Sequence, residues 1–315
     1  MRELILKCAA IGAAGILLAA QGGGNGAAER PAIVGVAHIA LRTNDMAGAR
    51  EFYGHVLGFR EPSGGRFAVN QHQEIQMFPN LASDTQDRLI NIAFETANAR
   101  QLRSYLASRG VEVPETVSDT GGSLWFEVRD PEGHAVEFVQ YAQGALPEAG
   151  DKGISQRIIH VGVTVQDREA EDRFYRDLLG FKETWHGGMK DDRTDWVDMR
   201  VPDGTDWLEY MLNVHNPSPH TLGVMHHLAL GVPDIQAGYR MVLDRGYQPQ
   251  APPQIGRDGK WQLNLYDPNF TRVELMEPKP VRTPCCSPAA QSESHDPLIQ
   301  CGHNRPDCVV PRRAG

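Results

Sequence analysis

The chain has 315 residues, with 40 acidic against 31 basic residues and a formal charge of −9. That length accommodates two ordinary domains with apolar cores of their own. The acidic balance, with no run of lysine and arginine to form a phosphate-binding stripe, argues against a nucleic-acid partner and leaves a small molecule as the expected one.

Residues 1 to about 30 read as a leader and a linker. Arg2 and Lys7 precede an apolar stretch from Cys8 to Ala20 that ends in small residues before Gln21, the parts of a secretory signal peptide. The stretch is too short to span a bilayer comfortably, and a glycine-rich segment at residues 22–26 follows it. The expectation is an exported protein, periplasmic or secreted, with no stable membrane span after processing.

Beyond the linker the sequence repeats itself. His38-Ile-Ala-Leu runs through Asp45 to Phe52-Tyr53 and Leu57-Gly58-Phe59, and His160-Val-Gly-Val runs through Asp167 to Phe174-Tyr175 and Leu179-Gly180-Phe181. The histidine and the last phenylalanine are 21 positions apart in both copies. A second register recurs within each copy. Asn91-Ile-Ala-Phe leads through a helical stretch to Arg109-Gly110, and His227-Leu-Ala-Leu leads likewise to Arg245-Gly246. Each copy closes with two apolar runs joined at Asp130-Pro131-Glu132-Gly133 or at Asp267-Pro268-Asn269. Each module therefore reads as a strand, an amphipathic helix ending at glycine and further strands, twice over. The expected modules cover residues 33–142 and 155–278, divided between Gly144 and Gly153.

In the second module four apolar runs carry His160, Glu209, the adjacent pair His226 and His227, and Glu274. An isolated buried histidine is ordinarily a core residue bonded to a backbone carbonyl. Two imidazoles and two carboxylates, each in its own apolar strand, instead suit a metal ion. His226 neighbours His227, and adjacent strand residues face opposite sides. Matching His227-Leu-Ala-Leu to His38-Ile-Ala-Leu selects His227, so His226 is expected to face outward or to cap the helix layer. His186 reads as a residue of a mobile loop, and His215 and His220 as residues of a connector. Trp207, Trp261 and Tyr266 read as core sooner than as pocket lining. Lys190, Arg193 and Arg200 read as surface charge as readily as an anion site. HExxH, phosphate-loop, dinucleotide-glycine and nucleophile-elbow motifs are all lacking, which leaves metal chemistry as the expectation.

Four of the five cysteines, Cys285, Cys286, Cys301 and Cys308, lie near the C-terminus. Proline, serine and asparagine density predicts a disordered tail over residues 279–315, with Cys285 and Cys286 pairing with different partners and Cys301 within reach of Cys308. A metal knuckle using His303 ranks lower because its spacing is irregular.

The strand-borne histidines, the Phe-Tyr and Leu-Gly-Phe helix ends and the Asp-Pro turns before Glu137 and Glu274 resemble the vicinal oxygen chelate superfamily, which contains glyoxalases, bleomycin-resistance proteins and extradiol dioxygenases. The resemblance covers residues 33 to 277. It implies an α+β fold of two tandem modules, each a pair of βαβββ units forming a curled mixed sheet, or cup. By that resemblance the ligand positions are His160, Glu209, His227 and Glu274 in the second module, and His38, Gln76, Asn91 and Glu137 in the first. Asparagine is a weak ligand, so the first site is expected to be degenerate.

The resemblance further implies a divalent metal (Zn, Ni, Mn or Fe(II)) and a glyoxalase-like lyase or isomerase. Such an enzyme stabilises an enediolate on the metal, with Glu274 or Glu209 as the catalytic base and His160 and His227 holding the ion. The alternative is an Fe(II) extradiol-type ring-cleaving dioxygenase using His160, His227 and Glu274. Against it, such enzymes carry a further histidine shortly before the final glutamate, which this chain lacks, and Glu209 would crowd the oxygen side. A third possibility is a metal-free binding or resistance protein, which would have no reason to bury two unpaired carboxylates. A monomer or homodimer is expected.

Overall fold

A computed structural model of the chain describes residues 29–147 and 150–288. Residues 1–28, over which a leader is expected, and residues 289–315, including Cys301, His303 and Cys308, lie outside the described residues. No helix among the described residues is long and apolar enough to cross a membrane.

The first module contains strands β1 (Ile33–Arg42), β2 (Arg60–Ser63), β3 (Arg66–Ala68), β4 (Glu74–Phe78), β5 (Leu89–Thr96), β6 (Ser118–Thr120), β7 (Ser123–Arg129) and β8 (Ala135–Gln140). The second contains β9 (Ile158–Val165), β10 (Lys182–Gly187), β11 (Trp196–Arg200), β12 (Trp207–Leu212), β13 (His227–Gly231), β14 (Gln254–Ile255), β15 (Trp261–Tyr266) and β16 (Arg272–Met276). Each set forms one eight-stranded mixed sheet, in the orders β2-β3-β4-β1-β5-β8-β7-β6 and β10-β11-β12-β9-β13-β16-β15-β14. The four central strands of each cup are thus the first and last strands of its two βαβββ units. Parallel pairs β1/β4 and β9/β12 require crossovers, and these contain the helices.

Those crossover helices begin at Asp45 and Asp167, whose carboxylates accept the backbone N–H three residues on. Both continue as wider-wound π segments, Arg50–Val56 and Arg173–Leu178. They end before Gly58 (φ 77°) and Gly180 (φ 82°), a backbone region that a side chain would strain, which is why the Leu-Gly-Phe signature carries glycine.

One apolar core runs through both modules. Phe94 on β5 meets Phe181 edge-on at 5.2 Å, and Phe52 meets Tyr247 at 5.4 Å. Polar contacts across the seam obey the same pseudo-symmetry. Tyr53 donates to Asp267 in the second module's turn at 3.1 Å, and Tyr175 donates to Asp130 in the first module's turn at 3.1 Å.

Where the two sheets abut, Asp206 accepts from the Val36 N–H at 2.9 Å, from Gln73 Nε2 at 3.2 Å and from Arg157 Nε at 2.7 Å. Gln73 also bonds the backbone of Ile158 through both of its amide atoms. Asp206→Ala removes one buried acceptor from three donors, one of them charged. Urea unfolding should show the variant less stable by about 3 kcal/mol, the upper end for bonds to a charged group.

Two expectations about the tail are corrected. Residues 280–287 are held against the second module: Val281 N donates to the Gly259 carbonyl, Cys285 N to the Arg257 carbonyl and His186 N to Ser287 Oγ. Disorder therefore does not begin at residue 279, because this segment finds backbone partners that composition alone does not reveal. Cys285 and Cys286 are bonded to each other rather than to different partners, at a turn where Cys286 has φ 68°. His186 is also reassigned, from a mobile loop to strand β10, where its Nδ1 lies 2.7 Å from Glu183.

Candidate metal centre

On β9, Val161, Val163 and Val165 face the apolar core, which turns His160 and Gly162 into the cup. Cross-strand register then assembles the site in two rows. In the first, Trp207, His160, Ala229, Glu274 and Asn264 are successive neighbours on β12, β9, β13, β16 and β15. In the second, Asp198, Glu209, Gly162 and His227 are successive neighbours on β11, β12, β9 and β13. The small residues Ala229 and Gly162 lie between the candidate ligands and leave the space in which their side chains converge.

His160, His227 and Glu274 present ligand atoms that all lie within 4.8 Å of one another. The two Nε2 atoms are 3.1 Å apart, and Glu274 Oε2 is 3.7 Å from His160 Nε2. Glu209 Oε2 lies 3.1 Å from His227 Nε2 and 3.8 Å from His160 Nε2. The four expected residues are therefore brought together. His226 is not among them. Rather than facing outward, it is buried across the seam between the modules, with Nδ1 at 3.0 Å from Asp87 and Nε2 at 3.0 Å from Thr164.

The donor set fits a divalent ion. Burial pushes both imidazoles well below the usual histidine value, so they are neutral and carry lone pairs. His227 Nδ1 donates to the Met225 carbonyl at 2.8 Å, which fixes its tautomer and leaves Nε2 facing the cup. The 3.1 Å separation of the Nε2 atoms matches two nitrogens each about 2.1 Å from one ion at roughly a right angle. Burial also raises Glu274 to about 8, aided by Glu209 and Asp258, and a divalent ion would supply the charge that makes this carboxylate favourable. Arg272 Nη2 donates to His227 Nε2 at 2.9 Å, and its buried Nε has no hydrogen-bond partner. A metal and this guanidinium compete for one lone pair.

The site opens into a cavity of about 360 Å³ walled by Trp185, Trp196 and Trp207. Asp198 and Asp258 also line it, and Lys260 sits over the Trp207 ring at 4.6 Å and 3.1 Å from Asp258. Burial, with Glu209 and Glu274 nearby, pushes Asp198 well up; Lys260, despite its own burial, is held above the usual lysine value by Asp258 and Asp198. Sequence reasoning missed Asp198, Asp258, Lys260 and Arg272. Asp198 had a usable signal, an acid inside the run Trp196-Val197-Asp198-Met199. Of the aromatic candidates only Trp207 lines the cavity, and Lys190, Arg193 and Arg200 are not among its lining residues.

The first cup has the same rows with different chemistry. Glu74, His38, Ala93, Glu137 and Glu127 form one, and Arg66, Gln76, Ala40 and Asn91 the other. Register thus places Gln76 opposite Glu209 in the repeat, and Asn91 opposite His227. Arg66 takes the position of Asp198 and forms a two-pronged pair with the fully buried Glu74. The positive charge in this cup is a guanidinium. Burial lowers His38 to about 4 and raises Glu137 to about 7, and their nearest atoms are 3.9 Å apart.

A family model described as the Glyoxalase/Bleomycin resistance protein/Dioxygenase superfamily matches residues 35–138 and 157–275. The chain belongs to this superfamily. An iron-dependent extradiol dioxygenase of Rhodococcus jostii is 29% identical over 163 residues, covering 47% of this chain and 54% of that protein. The match spans about half of the relative's length. Homoprotocatechuate 2,3-dioxygenase from Brevibacterium fuscum, in an anaerobic complex with 3,4-dihydroxyphenylacetate, superposes with a TM-score of 0.61 at 17% identity, covering 86% of this chain and 89% of that one. The 2,3-dioxygenase LapB from Pseudomonas sp. KL28 gives 0.59 at 14% identity, covering 81% and 97%. At these identities the superpositions show a shared fold. Both these structures and the sequence relative carry dioxygenase names.

Proposed function

We propose that the chain is a ferrous-iron-dependent extradiol-type dioxygenase that opens the ring of a catechol, using His160, His227 and Glu274 to hold the metal. The observation that carries this reading is the mutual approach of two neutral histidines and one buried carboxylate, with His160 and Glu274 lining an aromatic-walled cavity. Two histidines and a carboxylate on one face, with the opposite positions open, are the ligand set of non-haem iron oxygenases. The iron-dependent relative and the dioxygenase fold neighbours support it.

Ferrous iron held by His160, His227 and Glu274 would supply the redox chemistry that joins dioxygen to a catechol. The protein's own part is to position and to shield. Trp185, Trp196 and Trp207 offer flat apolar walls to an aromatic ring and restrict water. The Met225 carbonyl holds the His227 ring in place. Arg272 offers a guanidinium to a phenolate oxygen, with its Nε free to donate.

A second reading, the glyoxalase-type lyase or isomerase, draws on Glu209, whose oxygen 3.1 Å from His227 Nε2 makes it available as a fourth ligand and base. Glu209→Gln separates the two. Under the dioxygenase reading the variant keeps its iron and retains oxygen-dependent turnover within about tenfold, since Glu209 then only adjusts the charge beside His227. Loss of turnover on the order of a hundredfold to ten-thousandfold, with metal retained, would mark Glu209 as the general base and favour the lyase.

A further inference from the structure

The two seams between the modules are related by the repeat, yet among the described residues only one carries a cluster of metal-competent side chains. In each seam a crossover-helix tyrosine bonds the aspartate of the other module's Asp-Pro turn. The turns match atom for atom in their backbone bonding: Asp130 N donates to His134 O and Gly133 N to Asp130 O, as Asp267 N donates to Thr271 O and Phe270 N to Asp267 O. The helices match through their capping aspartates, Asp45 and Asp167. His134 therefore corresponds to Thr271, and Glu171 to Ala49. An imidazole and a carboxylate occupy one seam where the other has a hydroxyl and a methyl group.

We infer that Asp130, His134 and Glu171 form a second divalent-cation site, between the modules and separate from the cup. One oxygen from each carboxylate and one ring nitrogen of His134 lie within 4.8 Å of one another. Asp130 is already oriented, accepting from the His134 backbone N–H at 2.8 Å and from the Tyr175 hydroxyl at 3.1 Å, with Oδ2 2.9 Å from His134 Nδ1. Glu171 is the independent pointer to a ligand. It is 0% exposed, its Oε1 accepts only the Glu132 N–H at 2.9 Å, and its Oε2 has no hydrogen-bond partner. Asp130, Glu132 and Asp167 act on it electrostatically, and all three are acidic. A buried carboxylate facing another, with only an imidazole beside them, lacks the countercharge that a cation provides.

Two carboxylates and an imidazole suit a first-row divalent ion rather than calcium or magnesium, which prefer oxygen alone. The His226 ring packs edge-on against His134 at 5.4 Å and reaches Thr164, which lines an open cleft of about 360 Å³ with Gln166 and His215.

The test is equilibrium dialysis of the metal-freed full chain against Zn(II), with zinc counted by elemental analysis. Wild type should retain one zinc more than Glu171→Ala or His134→Thr, and two more than Glu171→Ala/His227→Ala. The first two substitutions install residues that the matching seam already tolerates, so the fold should survive. Glu171→Gln, which keeps volume and loses charge, serves as a further check. Zinc should also raise the melting temperature of wild type more than that of Glu171→Ala. Equal zinc retention by wild type, Glu171→Ala and His134→Thr would overturn the assignment and leave Glu171 as a buried protonated acid.

Discussion

His227→Ala should abolish metal retention in the cup and turnover with it, whereas His38→Ala should leave both near wild type. The asymmetry follows from what each cup contains. His227 is fully buried, its Nδ1 is committed to the Met225 carbonyl, and its Nε2 lies 3.1 Å from His160 Nε2. Removing it takes one of three ligand atoms from the mutual group and opens a void beside Gly162. The loss in metal affinity should exceed the tenfold to hundredfold typical of losing an outer partner of a ligand, at about a hundredfold or more. His38 stands in a cup where Arg66 is paired with buried Glu74 and where Asn91 occupies the place of His227. Iron content of the two purified variants, measured beside wild type, checks this; equal loss in both would place the metal elsewhere.

Gly162→Ala should do nearly the same damage without touching a ligand. A Cβ at this position would lie 2.1 Å from His227 Cε1 and 2.3 Å from its Nδ1, far inside contact distance. The ring cannot yield cheaply, because it is fully buried and held at Nδ1, so accommodating the methyl group breaks that bond and turns Nε2 away from His160. The first module has alanine at the matching Ala40, opposite the smaller Asn91. The sheet therefore tolerates alanine where no imidazole crosses it. The expected result is a folded protein with metal affinity reduced by at least about ten- to a hundredfold. Circular dichroism should be near wild type while iron is lost; full iron retention would mean that the His227 ring has room the structure does not give it.

The repeat was legible because strand and helix periods, the Leu-Gly-Phe helix ends and the Asp-Pro turns are local signals, each with a local physical cause. The pairing of Gln76 with Glu209 and of Asn91 with His227 was legible for the same reason, and register bears it out. Hidden from the sequence was everything set by side chains meeting across strands. Arg66 looks like surface charge until β3 lies beside β4 and brings it to Glu74. Lys260 looks like a loop residue until it is seen over Trp207 between two buried aspartates. His226 looked peripheral because an interface between two modules leaves no periodicity in either. The choice between lyase and dioxygenase was equally hidden, since both use the same strand positions and differ in which donors converge.

The most direct measurement is oxygen consumption by the chain reconstituted anaerobically with Fe(II) and given a panel of catechols. One O₂ should be consumed per ring opened, only with ferrous iron present, and activity should be lost in His160→Ala, His227→Ala and Glu274→Ala. Iron-loaded protein that consumes no oxygen with any catechol, yet turns over a hemithioacetal without oxygen when loaded with zinc or nickel, would contradict the dioxygenase reading.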